Sequence, residues 1–322
     1  MRISTRLKKN ISKTRIPDYG IAIFVILATA LPYLHEFLIG DDGLLLPWVP
    51  FEERRVFNYS KVGTFLFYLL IQVYALIGLV FWKHHLVGKR HGKYLWVPIL
   101  SAIYHLIILF CSARGTAWNE PIVKFIGICS VLLGVMVWDY YSEAAYRQRN
   151  KRAFTTFGGP KTKIIGPKEI TWWVGVLSLS SMLFVHDFVT SRIGGGTLEG
   201  LPDFGIVKAL TETSTVDGEA VERIWDFKSY RILLYTFMVQ VYVFVCWLCA
   251  HMSGKGRPYR PFFIVPLALG IFQILLIVVK SSGGSLNNPD VKLWITLGCA
   301  LLAATIFLYK YRHLVINSPK QI

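Results

Sequence analysis

Acidic residues are scarce in this chain, and cysteines are scarcer. Asp and Glu number 19 against 35 Lys and Arg, a formal charge of +16, and there are five cysteines. Cys111, Cys129, Cys246, Cys249 and Cys299 all fall inside apolar stretches, which excludes a disulfide framework in the connecting loops. Cys246-Trp247-Leu248-Cys249 has the spacing of a thiol-redox pair. It lies within one apolar stretch and does not recur, so it reads as small residues filling a helix. No pair of histidines recurs at i, i+3 or i+4 among His84, His85, His91, His105 and His251. That excludes the histidine boxes of membrane diiron enzymes, assigns no metal site, and disfavours a bis-His haem. A Ser-His-Asp arrangement and an Asp-rich prenyl-phosphate motif are absent. Phe157-Gly158-Gly159-Pro160 lacks the Lys-Ser/Thr of a phosphate loop and follows no strand. No small-residue cleavage site follows the first apolar stretch, so it is expected to remain as a membrane helix and not to be removed as a signal peptide.

Apolar runs are what the chain has in excess. It is 54% hydrophobic and 15% aromatic, too apolar for a soluble domain of 322 residues. Eight stretches, at 20–39, 62–82, 94–112, 121–141, 171–190, 230–250, 261–280 and 291–309, approach the length needed to cross a bilayer. Charge sorts by side between them. Arg2 to Arg15, Lys83 to Lys93, Arg147 to Lys168, Lys255 to Arg260 and the tail from Lys310 are basic. The alternate segments hold Asp41, Asp42, Glu52, Glu53, Asp203, Glu212, Asp217, Glu219 and Glu222. An excess of cations on one side predicts that both termini are cytoplasmic. The net charge then belongs to a membrane face that meets anionic lipid and implies no nucleic-acid partner. A bacterial inner membrane is the expected location. Asn58-Tyr59-Ser60 would be a glycosylation acceptor only in a eukaryote.

The chain also contains itself twice. Residues 65–141 align without a gap on 233–309 at an offset of 168, with 15 identities in 77 positions. Roughly six are expected by chance at this composition. Gln72-Val73-Tyr74 falls on Gln240-Val241-Tyr242, and Asn119-x-Pro121-x-Val123-Lys124 on Asn287-x-Pro289-x-Val291-Lys292. Upstream, in a shifted frame, His35-Glu36-Phe37 matches His186-Asp187-Phe188. Each half has four stretches, an even number, so both enter the membrane from the same side. The expected fold is all-α and integral to the membrane, with eight transmembrane helices in two parallel four-helix repeats about a pseudo-two-fold axis along the membrane normal. The parts are a basic N-terminus (1–19), a first repeat (20–141), a basic linker (142–170), a second repeat (171–309) with a long outer loop (189–229), and a tail (310–322). That loop is 17 residues longer than its counterpart at Gly40 to Lys61. It includes Val207 to Asp226, polar and acidic enough to suggest a short amphipathic helix, and is the candidate docking element for a protein partner.

Polar residues doubled inside greasy helices are the candidate site. His35-Glu36 and His186-Asp187 close the first and fifth stretches, where a His beside a carboxylate can shuttle protons or contact a quinol, or can simply mark the membrane boundary. Pro121 and Pro289 suit a helix first turn, with Asn119 and Asn287 as caps. Lys124 and Lys292, one turn in, are placed to snorkel to headgroups or, turned inward, to bind an anion. Gln72 and Gln240, mid-span, would glue helices or line a cavity. Trp48, Trp118, Trp172, Trp173, Trp225 and Trp294 lie near stretch ends, as an interfacial belt does.

The order of spans and loops in each half resembles the DoxX and HTTM type of four-helix membrane protein. Gly40-Asp41-Asp42-Gly43-Leu44-Leu45-Leu46-Pro47-Trp48 is similar to the Asp-Asp-Gly-x-Leu-Pro run of HTTM sequences; the second half has only Leu198-Glu199-Gly200-Leu201-Pro202-Asp203. The lysine context of the carboxylases in that group is not present, so no catalytic residue carries over. What the resemblance implies is quinone-linked oxidation or an accessory role. The expected function is a redox-linked or ligand-binding membrane subunit, with His35, Glu36, His186, Asp187, Gln72, Gln240, Lys124 and Lys292 around an outer-leaflet site for a quinone-like or amphipathic molecule. The alternatives are a non-catalytic subunit docking through 189–229, and a small-solute or ion transporter with its path between Gln72 and Gln240.

Overall fold

The structure is a computed structural model. It describes residues 15–38, 62–87, 90–110, 121–149, 167–184, 186, 211–216, 219–224, 227, 230–279 and 285–316. The helices are α1 (Arg15–Thr29), α2 (Leu31–Leu38), α3 (Val62–His85), α4 (Trp96–Phe110), α5 (Pro121–Arg149), α6 (Pro167–Ser181), α7 (Tyr230–Ser253), α8 (Ile264–Val278) and α9 (Pro289–Ile316). Short 3-10 turns at Arg90–Lys93 and Arg260–Phe263 lead into α4 and α8. Six helical segments are long and apolar enough to cross a membrane. The α1–α2 pair makes a seventh if its 51° bend is taken within one span. The protein is therefore a polytopic membrane protein. The fifth expected span is represented by α6, which is short, and by residues up to His186.

The bend between α1 and α2 has two local causes. Pro32 has no N–H to give and its ring excludes the carbonyl one turn back, so the helix stops at Thr29 and restarts with Pro32 in its new first turn. In addition, the Thr29 hydroxyl donates to the Val25 carbonyl at 2.8 Å, a back-bond that bends helices. At the end of α6 the same chemistry works without proline. Ser180 and Ser181 donate to the carbonyls of Val176 and Leu177 at 2.7 and 2.6 Å, and Leu183 stands where the first half has Pro32.

Both helices expected to start at proline do so, α5 at Pro121 and α9 at Pro289. The cap of α9 is one residue from the expected one: the Asn288 side-chain oxygen accepts from the Asp290 N–H at 3.0 Å, because Asn288, not Asn287, directly precedes the proline. Asn119 lies outside the described residues.

The segment Val207 to Asp226 does not form the expected helix where it is described. Thr211–Val216 and Glu219–Ile224 pair as antiparallel strands β1 and β2, with Val216 opposite Glu219 and Thr211 opposite Ile224. The β-branched run Thr211, Thr213, Thr215, Val216 favours strand over helix. The register leaves Asp217-Gly218 as the connection, a dipeptide that signals a two-residue hairpin.

The chain divides into two compact units, and neither coincides with a sequence half. The first comprises residues 1–78 and 243–322, the second residues 79–242. In the first, α1 packs on α8 and α9, α2 packs on α9, and α8 packs on α9. In the second, α4, α5 and α6 pack on one another. The first helix of each half thus shares a unit with the third and fourth helices of the other half. In the first unit α3 and α7 approach closely at Gly78, where an added Cβ would stand 3.3 Å from the Cys246 Cβ. Tyr74 and Trp247, both deeply buried, pack their rings there at 5.2 Å. Apolar burial does not drive helices together in lipid, so this fit and the polar contacts below hold the bundles.

Candidate functional site

The buried stripe of α9 runs Lys292, Thr296, Ala303, Phe307, at the spacing of a core-facing helix. A lysine is costly in such a stripe, and worse near a helix N-terminus, whose dipole repels cations. The structure resolves both costs with one carboxylate. Lys292 Nζ donates to the two oxygens of Glu36, on α2, at 2.5 and 2.8 Å. Lys292 does not snorkel: its side chain is only 3% exposed, whereas Glu36 is 25% exposed. The bend after Thr29 is what turns α2, and with it Glu36, onto α9.

Two further groups complete the cluster. His35 Nε2 lies 3.9 Å from Glu36 Oε1, and its ring meets the edge of Phe67. One turn along α9, the Thr296 hydroxyl donates to the Lys292 carbonyl at 2.8 Å and accepts from the Tyr33 hydroxyl at 3.1 Å. Tyr33 and Thr296 are beyond what the sequence suggested. Their signal is a hydroxyl on the same helical face as a doubled residue: Thr296 is four on from Lys292, and Tyr33 is three before Glu36.

The second unit holds the counterparts. The buried stripe of α5 runs Lys124, Ile128, Val135, Asp139, which are the repeat equivalents of Lys292, Thr296, Ala303 and Phe307. Lys124 is again buried, not snorkelled. His186 is buried and packs edge-on against Tyr235 at 4.6 Å; Tyr235 is the counterpart of Phe67, the ring beside His35. Asp187, like the Asp-Asp-Gly run at 41–43, lies outside the described residues.

Gln72 and Gln240 are both buried, as a mid-span amide must be, but they belong to different units. The cluster of His35, Glu36 and Lys292 forms without them. Cys246 and Cys249 are thiols and not joined to each other as a disulfide, and Cys246 is fully buried. Among the described residues no three His, Cys, Asp or Glu side chains are gathered as metal ligands would be.

At the end of the helices that carries the basic loops, the second unit has a polar centre that the sequence reading passed over. Asp139, 5% exposed, accepts from Lys93 Nζ at 2.5 Å and from the Tyr94 hydroxyl at 3.4 Å. Lys93 also reaches the Ser142 hydroxyl at 3.1 Å. The signal was available: within the expected spans the only acidic residues are Glu36, Asp139 and Asp187, and Asp139 is the one without a doubled partner.

Chemically, the Glu36 cluster is a fixed charge pair with one accessible side. The cation is sealed in, while the carboxylate and the imidazole retain some exposure. It can offer an acceptor and a ring nitrogen to the polar head of a molecule whose remainder is apolar. Compared with known proteins, the chain matches no family model, no curated protein and no solved structure.

Proposed function

We propose that the protein is a redox-linked or ligand-binding membrane subunit whose outer-leaflet site for a quinone-like or amphipathic molecule is built from His35, Glu36 and Lys292, with His186, Asp187 and Lys124 as the second copy. The observation that carries this is the asymmetry of exposure across the ion pair, 3% for Lys292 against 25% for Glu36. A pair serving packing alone has no need to keep its carboxylate reachable. Buried Lys292 holds Glu36 in place, and the remaining lone pairs of the carboxylate, beside His35, are free for a hydroxyl or carbonyl head. The DoxX/HTTM-like layout makes a quinone the first ligand to test.

The reading includes eight spans in two parallel repeats, both termini cytoplasmic, in a bacterial inner membrane. The repeat is supported by the matching stripes of α5 and α9 and by the matching back-bonds of Thr29 and Ser180, each to a valine carbonyl. It is supported again by the approach of Gly78 to Cys246, which are each other's counterparts. Residues that touch their own counterparts lie beside the axis that relates two copies.

The test is mild-detergent purification followed by solvent extraction and mass spectrometry. A quinone or similar amphipathic molecule should accompany the wild-type protein at near-stoichiometric amounts and fall by at least about tenfold, a loss of about 1.4 kcal/mol in binding, in Glu36→Gln with His35→Ala. A wild-type protein free of such molecules, which also fails to bind added short-chain quinone, would sink the reading.

The hairpin favours a second reading, a non-catalytic subunit docking through 189–229. A two-stranded hairpin is marginal alone in water, and among the described residues its outer edges pair with no further strand, as in a docking element. Deleting 211–224 should then release co-purifying subunits while leaving the extracted ligand unchanged.

A further inference from the structure

Among the described residues, the basic end of the second unit sets a lysine on an indole, with further indoles packed nearby, and the first unit has no such arrangement. Lys83, in the last turn of α3, places Nζ 3.2 Å from the ring centroid of Trp96, the first residue of α4. His91 stacks flat on Trp172 at 5.1 Å and 6°. Trp82 packs on the same indole, and Trp173 meets Tyr94 edge-on. The tight turn that makes this possible needs Gly92, where a Cβ would stand 2.5 Å from the Leu86 carbonyl oxygen.

An interfacial belt explains tryptophans at helix ends, but a general belt would furnish both halves alike. The repeat counterparts of Trp82, Lys83, Trp96, Lys93 and Trp138 are Ala250, His251, Ile264, Pro261 and Ile306. Among the described residues only the second unit carries the cation-on-indole arrangement. Within it the two lysines differ: Lys93 is neutralised by Asp139, while among the described residues no carboxylate faces Lys83.

We infer that this cluster binds the headgroup of an anionic phospholipid. Lys83 supplies the charge, and Trp96 holds that lysine in place against the phosphate. The surface below fits an acyl chain and not a free anion: Trp96, Leu100 and Ile107 are exposed along one face of α4, at helical spacing. The inference is independent of the Glu36 site and stands or falls without it.

The test uses the full-length protein in detergent, titrated with phosphatidylglycerol or phosphatidylcholine and observed by native mass spectrometry. One phosphatidylglycerol should be retained about tenfold more strongly than phosphatidylcholine. The double variant Lys83→His with Trp96→Ile, which installs the residues the other half already uses, should abolish that preference. Trp96→Phe, which keeps a ring under the cation, should largely preserve it. Equal retention of both lipids, or a preference that survives the double variant, overturns the inference. So does displacement of the lipid by millimolar inorganic phosphate, which would make the site one for free anions.

Discussion

The two units place polar networks at opposite ends of equivalent helices. In the first unit, Tyr33 and Thr296 hydrogen-bond beneath the Glu36–Lys292 pair, and the equivalent positions of the second unit are Phe184 and Ile128. In the second unit, Tyr94, Asp139 and Lys93 form a polar centre at the basic end. The equivalent positions of the first are Phe262, Phe307 and Pro261, where the two phenylalanines meet at 5.7 Å. Hydrogen-bonded groups in one unit are replaced as a set by apolar groups in the other. That is the cheap way to diverge, because removing both partners of a buried hydrogen bond costs little, while removing one leaves an orphan. What did not diverge is the buried lysine at the head of each stripe and the histidine after each break. These are the positions at which both halves carry a cost that either could have shed.

The largest expected effect tests that kept cost. Glu36→Gln leaves Lys292 as a buried, unpaired cation and should destabilise the detergent-solubilised protein by about 3–5 kcal/mol, the usual result of breaking a buried ion pair. Lys292→Met should cost less, because the stranded Glu36 has solvent access. The double variant should recover most of the loss. A thermal-stability cycle over the four proteins decides it, and equal, small losses for both single variants would show that the pair is not what fixes α2 to α9.

The same cycle on Lys124→Met and Asp187→Asn sharpens the comparison. The repeat puts Asp187 at the position of Glu36, and Lys124, the counterpart of Lys292, is also buried. A coupling energy of about 2 kcal/mol or more between the two positions is expected if both halves keep the pair. A loss on Lys124→Met with no response to Asp187→Asn would mean that another group holds Lys124 and that the halves differ here too.

At the basic end, Asp139→Asn should be milder, about 1–2 kcal/mol, because Lys93 is 36% exposed and can rehydrate when it loses its partner. Converting the centre to the first unit's residues, Tyr94→Phe with Asp139→Phe, should return stability towards wild type if Lys93→Gln is added. Failure of that conversion would show that Asp139 does more than staple the turn before α4 to α5.

How much of this was legible in the sequence follows from periodicity and cost. Long apolar stretches and proline starts gave the helices and their beginnings, since a bilayer fixes span length and proline fixes a first turn. The hairpin departs from the expected amphipathic helix because polarity and acidity alone do not set a period, whereas the β-branched run before the Asp217-Gly218 dipeptide favours strands. Lys292 was flagged by its doubling, but whether a lysine one turn into a helix snorkels or turns inward depends on a carboxylate 256 residues away, which no local pattern contains. Asp139 is the reverse case: its cost inside a span marks it, although no counterpart in the other half repeats it. The exchange of first helices between halves left no mark in the sequence, because either pairing buries the same faces.

The smallest expected effect is the most direct probe of the exchange rule. Tyr33→Phe alone orphans a buried Thr296 hydroxyl only in part, since that hydroxyl still donates to the Lys292 carbonyl, so the loss should be about 1 kcal/mol or less. Thr296→Ile alone forces a methyl against the Tyr33 hydroxyl and leaves that hydroxyl without its acceptor, and should cost more. Combining them installs the Phe184 and Ile128 pair of the second unit in the first, and the double variant should be closer to wild type than Thr296→Ile is. Measured by the same thermal assay, a double variant that is simply additive would mean that the polar and apolar sets are not interchangeable. The Tyr33–Thr296 bond would then be maintained for the sake of the Glu36 cluster above it and not for packing.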